Sequence, residues 1–191
     1  MLKPQDIYLL VKLNLLQEPK TQIAIAMDLF ISASEVNAGI KRLSQARLIE
    51  AKGDFWQIKK KAMLNCFIYG LPHFFPANRG EPTLGMRVKP EWGKLTQQAT
   101  IIDVNPVWPD SERNHKGFLL KPLYHSVPKA CRCDYLLYQW LMMVDVLRDA
   151  ENPNQKLAQQ WLRQQLSSRK QDRLKLDMAT HDHQQIALFE L

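Results

Sequence analysis

The chain has 191 residues, of which 46% are hydrophobic and 24% charged, and its formal net charge is +7. This composition is typical of a globular protein that buries a core of its own, and the length allows one or two domains. The basic excess favours partners rich in phosphate, because a positive surface attracts a polyanion and releases its counterions.

The cysteine count and the hydropathy pattern disfavour two classes of protein. An odd number of cysteines, here Cys66, Cys131 and Cys133, argues against a secreted disulfide scaffold. The first residues lack the apolar run of a signal peptide, and no uncharged apolar stretch of about 18 residues predicts a transmembrane helix. We therefore expect a soluble cytoplasmic protein with no membrane partner.

The first third of the chain predicts two helices followed by a third with a clear start. Pro4 suits a first helical turn, and the apolar stripe that runs to Leu16 is broad, which implies burial on more than one side. Thr21 is a good N-cap for the second helix. The apolar face predicted for that helix consists of Ile23, Ala26, Met27 and Phe30.

The third helix begins at Ser32, where Glu35 three residues later completes a capping box. Val36, Ile40 and Leu43 follow at helical spacing and are expected in the core. After this helix the hydrophobic pattern changes to the alternation typical of strands. Two short strands are predicted around the turn Lys52-Gly53-Asp54, in which glycine permits a tight hairpin. A small β-hairpin, called the wing below, is therefore predicted.

Beyond the wing the residue pattern alternates between predicted helical and predicted extended segments. A helix is predicted up to Gly70, and prolines and glycines then separate three candidate strands at residues 86–89, 100–104 and 117–126. Amphipathic helices are predicted again from Asp134 to Arg148 and over residues 155–166. The fold class is α+β, divided as a winged helix-turn-helix (1–62), an α+β part (63–168) and a polar tail (169–191).

The segment from Thr21 to Ile49 resembles the winged helix-turn-helix of bacterial MarR-type regulators. Such domains run T-Q-x-x-I-A, a short turn, S-x-S-x-V-x-x-x-I-x-x-L, and then a Leu-Ile pair, and this chain follows that pattern. It departs in the turn, where Phe30 replaces the usual glycine. The later segments around residues 73–85 and 106–130 resemble uncharacterised members of the same group, which carry no established activity. The resemblance implies binding of double-stranded DNA.

The surface that would contact DNA bases is expected on the third helix, because the N-terminal part of this helix enters the major groove in a helix-turn-helix. Ser34, Asn37, Ala38 and Lys41 are the candidates for contacts to bases. Arg42 and, on the wing, Lys52 are the candidates for contacts to the DNA backbone. Glu35 opposes this hypothesis, since a carboxylate repels phosphate, unless it turns back onto its own helix as a capping residue.

Other groups of residues are weaker candidates for functional sites. Arg79-Gly80 with Thr83 and Gly85 has the composition of an anion-binding loop or of an ordinary turn. The pairs Cys131/Cys133 and His181/His183 have metal-ligand spacing, but each is a single pair and a structural zinc site needs four ligands, which Cys66 and His125 could complete only if the fold brought them there. A cysteine nucleophile paired with His115 or His125 lacks a supporting motif. We therefore expect no metal, no cofactor and no catalytic residue.

The resulting hypothesis is a homodimeric DNA-binding regulator, most simply a repressor. The dimer is suggested by the apolar helices at 134–150 and 153–166, whose Trp140 and Trp161 are expected either in the core or at a dimer interface. It would place two recognition helices about 34 Å apart. The alternative is a winged helix that contacts protein, such as an antitoxin-like or defence-system accessory subunit. An enzyme is the least favoured class.

Overall fold

A computed structural model of the chain describes residues 1–53, 55–90, 93–100 and 105–167. Its N-terminal part has three helices followed by an antiparallel hairpin, the element order of a winged helix-turn-helix. The helices are α1 (Pro4–Leu15), α2 (Gln22–Leu29) and α3 (Ala33–Gln45), and the strands are β1 (Ile49–Lys52) and β2 (Phe55–Ile58).

Helix α1 is buried on every side over most of its length. All residues from Asp6 to Asn14 are buried, which confirms the burial on more than one side that the broad stripe predicts. One side packs on α3 and another on a helix near the C-terminus described below. Gly39 of α3 permits the first of these contacts, because a Cβ there would lie 2.7 Å from Cδ2 of Leu9.

The connection from α2 to α3 has helix-turn-helix geometry. The two helices are bent by 106° across a three-residue turn, within the range typical of this motif. Thr21 caps α2 by accepting a hydrogen bond from the Ala24 amide, and Ser32 caps α3 in the predicted capping box. Phe30 takes the left-handed conformation usually given to glycine, at φ 52°.

The apolar face predicted for α2 is wrong in part. Ile25, Ala26 and Leu29 are the buried residues, whereas Ile23 and Met27 are 65% and 72% exposed. The helix is so rich in apolar residues that its periodicity fits two faces equally well. An apolar strip of Ile23, Met27 and the partly exposed Phe30 therefore lies on the surface of the winged helix.

After the wing the predicted helix is longer than expected. It begins as α4 (Lys60–Asn65), passes through a π-helical turn at Cys66–Gly70 and ends as the short α5 (Leu71–Phe74). The end predicted at Gly70 therefore falls inside a continuous helical segment. Three strands then follow with a 3-10 turn among them (Gly93–Gln98): β3 (Arg79–Arg87), β4 (Pro106–Pro109) and β5 (His115–Leu120).

The three strands close on one another. β3 pairs antiparallel with both β4 and β5, and β4 and β5 pair in parallel. Two glycines permit the close backbone approach, since a Cβ at Gly85 or at Gly117 would lie 2.0 Å from the carbonyl oxygen of Trp108 or of Asn105, respectively. The candidate strands at 86–89 and 117–126 overlap β3 and β5 only in part, and most of 100–104 lies outside the described residues.

The C-terminal helices are α6 (Val127–Cys133), which the sequence did not predict, α7 (Tyr135–Arg148) and α8 (Gln155–Ser167). The last two confirm the predicted helices, and Asp134 caps α7. Helix α7 is the second neighbour of α1, and a single hydrophobic cluster includes residues from both parts of the chain. Trp140 and Trp161 pack edge to face within that cluster, so both belong to the core of one chain.

A buried polar network attaches the three strands to α7. The Trp108 indole donates to Asp145 at 2.6 Å, and the guanidinium of Arg148 pairs with the same carboxylate and donates to the Phe75 carbonyl at 2.6 Å. Arg79 at the start of β3 pairs with Asp149 at 2.8 Å. Together these contacts satisfy charges that would be costly to bury alone.

Replacing Gly85 with alanine should loosen the three-stranded unit. The new methyl group would overlap the Trp108 carbonyl, and relieving the overlap requires β3 and β4 to separate. We expect the free energy of unfolding, measured by urea denaturation, to fall by about 3 kcal/mol.

The matched control is Gly70→Ala, because the nearest atom to a Cβ there is 3.7 Å away. It should leave the urea midpoint unchanged or raise it slightly, because alanine is favoured over glycine in a helix. Equal effects of the two substitutions would show that the close approach at Gly85 is not what limits this position.

Candidate nucleic-acid interface

The outer face of α3 carries most of the residues predicted to contact bases. Val36, Gly39, Ile40 and Leu43 point into the core. On the opposite face Ser34 and Lys41 are exposed and Ala38 is half-buried. These three residues lie on successive turns of the helix. Gln45, also exposed, extends this face by another turn. Sequence reasoning did not single it out, although its spacing of four from Lys41 places it there.

Asn37 lies at the edge of this face rather than at its centre. It is half-buried, and its side-chain amide donates a hydrogen bond to Oε1 of Gln22 at 3.1 Å. The bond links α3 to the first turn of α2. In this conformation one amide hydrogen is engaged, whereas a bidentate contact to adenine uses both the amide nitrogen and its oxygen.

Arg42 lies on the other flank of α3 and has a partner within the protein. Its guanidinium makes two parallel hydrogen bonds of 2.7 Å to the carboxylate of Asp6, whose side chain is 1% exposed. The contact raises the pKa of Arg42. Removing a partner from a buried carboxylate costs about 3–5 kcal/mol, so holding α3 against α1 is the role that the geometry supports for this residue. Its contact with a phosphate stays a prediction.

Lys52 is exposed at the end of β1, next to the turn of the wing. Gly53 beside it has φ 58°, the left-handed conformation that the hairpin requires. Across the hairpin Lys52 pairs with Phe55, which is half-exposed. The wing tip therefore presents one cation and one aromatic ring to solvent, while Asp54 lies outside the described residues.

Glu35 is engaged on both carboxylate oxygens. One accepts from the backbone amide of Ser32 at 2.9 Å and from its hydroxyl at 2.8 Å, as the capping box predicts. The other accepts from the hydroxyl of Tyr124 at 2.6 Å, a contact between residues 89 apart in sequence. The Tyr124 hydrogen bond, with those from Ser32, lowers the pKa of Glu35. The carboxylate thus faces its own helix terminus and Tyr124.

The weaker candidates are separated or occupied in the structure. The segment of Arg79 to Gly85 is a strand rather than a loop, and Arg79 pairs with Asp149 and Glu151. Cys131 is buried while Cys133 is exposed, and burial raises the pKa of the Cys131 thiol. His181 and His183 lie outside the described residues. Within the described ranges no three His, Cys, Asp or Glu side chains form a group able to hold a metal ion.

Comparison with protein-family models finds no match, and comparisons with curated proteins and with solved structures find none either. The resemblance to MarR-type regulators therefore rests on the motif of the N-terminal third. Among the described helices, none is by itself both long and apolar enough to cross a bilayer.

Replacing Tyr124 with phenylalanine should raise the pKa of Glu35 towards its ordinary value, since the substitution removes the strongest hydrogen bond that stabilises the carboxylate. Because the folded-state pKa of Glu35 is lowered, its contribution to stability is present above the pKa of the unfolded chain and disappears as the pH falls through the folded-state pKa. We expect a loss of about 1 kcal/mol in the free energy of unfolding at neutral pH. The difference from the unsubstituted protein should shrink in acid.

Carbon NMR titration of the Glu35 carboxyl and urea unfolding at neutral and acidic pH measure the two effects. Tyr69→Phe, at a tyrosine that is 64% exposed, is the control and should change neither. A stability loss that is the same at both pH values would show that Tyr124 acts by packing and not through the Glu35 carboxylate.

Proposed function

We propose that this protein binds double-stranded DNA with the outer face of α3 in the major groove and acts as a transcriptional regulator, most simply a repressor. The observation that carries the proposal is that Ser34, Ala38 and Lys41 share a solvent-facing side of a helix set in helix-turn-helix geometry. An α-helix of about 10–12 Å diameter fits a major groove about 12 Å wide. In cells this activity would be cytoplasmic, where bacterial DNA lies.

The residues divide by the contact each side chain is able to make. Ser34 and Asn37 carry donors and acceptors for base edges, and Ala38 presents a methyl group suited to the methyl of thymine. Lys41 and Gln45 continue the same face towards the wing. Lys52 supplies a cation for the neighbouring phosphates or minor groove, which positions the protein without recognising sequence.

A second candidate function is supported by the apolar strip on α2. Ile23 and Met27 are exposed next to the helix that would enter DNA, and exposed apolar side chains that adjoin one another are typical of contacts with protein. On this alternative the winged helix is an interaction module, and the face of α3 is simply solvated.

Selection from a pool of random duplexes distinguishes the two functions. We expect the unsubstituted protein to enrich a defined sequence and Lys41→Ala or Asn37→Ala to lose about 1–3 kcal/mol of discrimination at one position of it. Lys156→Ala, at an exposed lysine of α8, is the control and should enrich the same sequence as strongly. Failure of the unsubstituted protein to enrich any sequence, together with duplex affinity that Lys41→Ala leaves unaltered, would favour the interaction module.

A homodimer forms part of the DNA-binding proposal, because two-fold symmetry lets one chain recognise both halves of a palindromic site. The helices that suggested a dimer, α7 and α8, use Trp140 and Trp161 in the core of their own chain. A dimer surface would therefore use residues other than these two tryptophans.

Sedimentation velocity at micromolar concentration, with and without a selected duplex, measures the oligomeric state. We expect a dimer on the duplex. A single protomer per duplex at saturation would remove the homodimer from the proposal while leaving DNA binding intact.

A further inference from the structure

The C-terminal part of the chain packs against the turn that connects α2 to α3. The hydroxyl of Ser126 donates to the Leu29 carbonyl at 2.8 Å, at the end of α2. The ammonium of Lys129 lies 4.3 Å from the ring centroid of Phe30, inside the turn. Tyr124 bonds Glu35 in the first turn of α3. A segment that follows the three-stranded unit thus borders the start of the proposed recognition helix.

With α3 in a major groove, this border would lie next to DNA phosphates. A helix about as wide as the major groove leaves little space on either side, so side chains that flank the helix face the sugar-phosphate walls. Asn37 and Gln22 occupy one flank of α3. On the other flank, at the N-terminal end of α3, the neighbours are Tyr124 and the residues beside it.

The exposed side chains on this second flank include a cation suited to phosphate. Lys129 and His125 are both exposed, and the His125 ring lies 4.3 Å from that of Tyr124. The nearby acid, Glu35, is directed to Ser32 and Tyr124. The cation–π contact holds the Lys129 ammonium over Phe30, which reduces the entropy cost that a freely rotating lysine would incur on binding.

We propose that Lys129, with the exposed His125 on the same flank of α3, forms a second phosphate contact of the DNA interface, so that both parts of the chain hold the same duplex. This inference rests on the proposed function, because it needs α3 to enter the groove. Its ligand is the phosphate of duplex DNA, and its effect is on affinity and position rather than on sequence preference. The ring of Phe30, which has the left-handed backbone conformation in the turn, holds the Lys129 ammonium through the cation–π contact.

Fluorescence anisotropy with a mixed-sequence duplex over a series of salt concentrations tests the proposal. The slope of log affinity against log salt is negative, and removing one lysine–phosphate pair should make it shallower by about 0.9. We expect Lys129→Gln to make the slope shallower by that amount and to weaken binding to all duplexes alike, whereas Lys129→Arg should keep the slope of the unsubstituted protein.

The matched control is Lys156→Gln, which removes the same charge from the exposed surface of α8. A slope for Lys129→Gln equal to that of this control, with the unsubstituted protein still binding steeply, would overturn the phosphate contact and leave the proposed function standing. If the unsubstituted protein binds no duplex at any salt concentration, the proposed function fails, and the phosphate contact fails with it. Circular dichroism of each variant verifies that the fold is intact.

Discussion

The whole arrangement depends on one helix that is buried on every side and still carries charge. Helix α1 places Asp6 and Lys12 in the interior, where an unpaired ion would be very costly. Each therefore needs a partner from another element. Asp6 takes the guanidinium of Arg42 from α3, and Lys12 takes the carboxylates of Asp28 at 2.9 Å and Asp134 at 2.8 Å.

These pairs attach α1 to α2, to α3 and to the start of α7. Although burial by itself would lower the pKa of Lys12, the hydrogen bonds from its ammonium to Asp134 and Asp28 raise it. Asp134 also caps α7, so the same carboxylate starts that helix and attaches it to α1. The outer face of α3 is consequently oriented by contacts on its buried side, and in the proposed DNA interface Arg42 would act first by orienting this helix.

Features of the fold that depend on neighbouring residues could be predicted from the sequence. The caps at Thr21 and Ser32 and the glycine turn of the wing are local, and each is present as expected. The outer face of α3 could be predicted because the apolar residues of this helix recur at a clear helical spacing. In α2 all residues except Gln22 and Asp28 are apolar, so the period did not distinguish the buried face from the exposed one.

Features that join distant residues could not be predicted in this way. The bond between Tyr124 and Glu35 spans 89 residues and the pair of Arg42 with Asp6 spans 36, and neither leaves a signal in local spacing. The closure of β3, β4 and β5 depends on registers that short, proline-interrupted segments do not specify. The part of the candidate interface supplied by the C-terminal half therefore follows only from the three-dimensional fold.

The place of α1 between α3 and α7 also has a consequence for how the chain is made. Lys12 and Asp134 meet across 122 residues, so α1 is synthesised well before α7, the helix that covers its second face. Contacts of such long range slow folding, and an uncovered apolar face is prone to aggregate in the meantime. The winged helix is synthesised before α7, yet its core is complete only after α7 has been added.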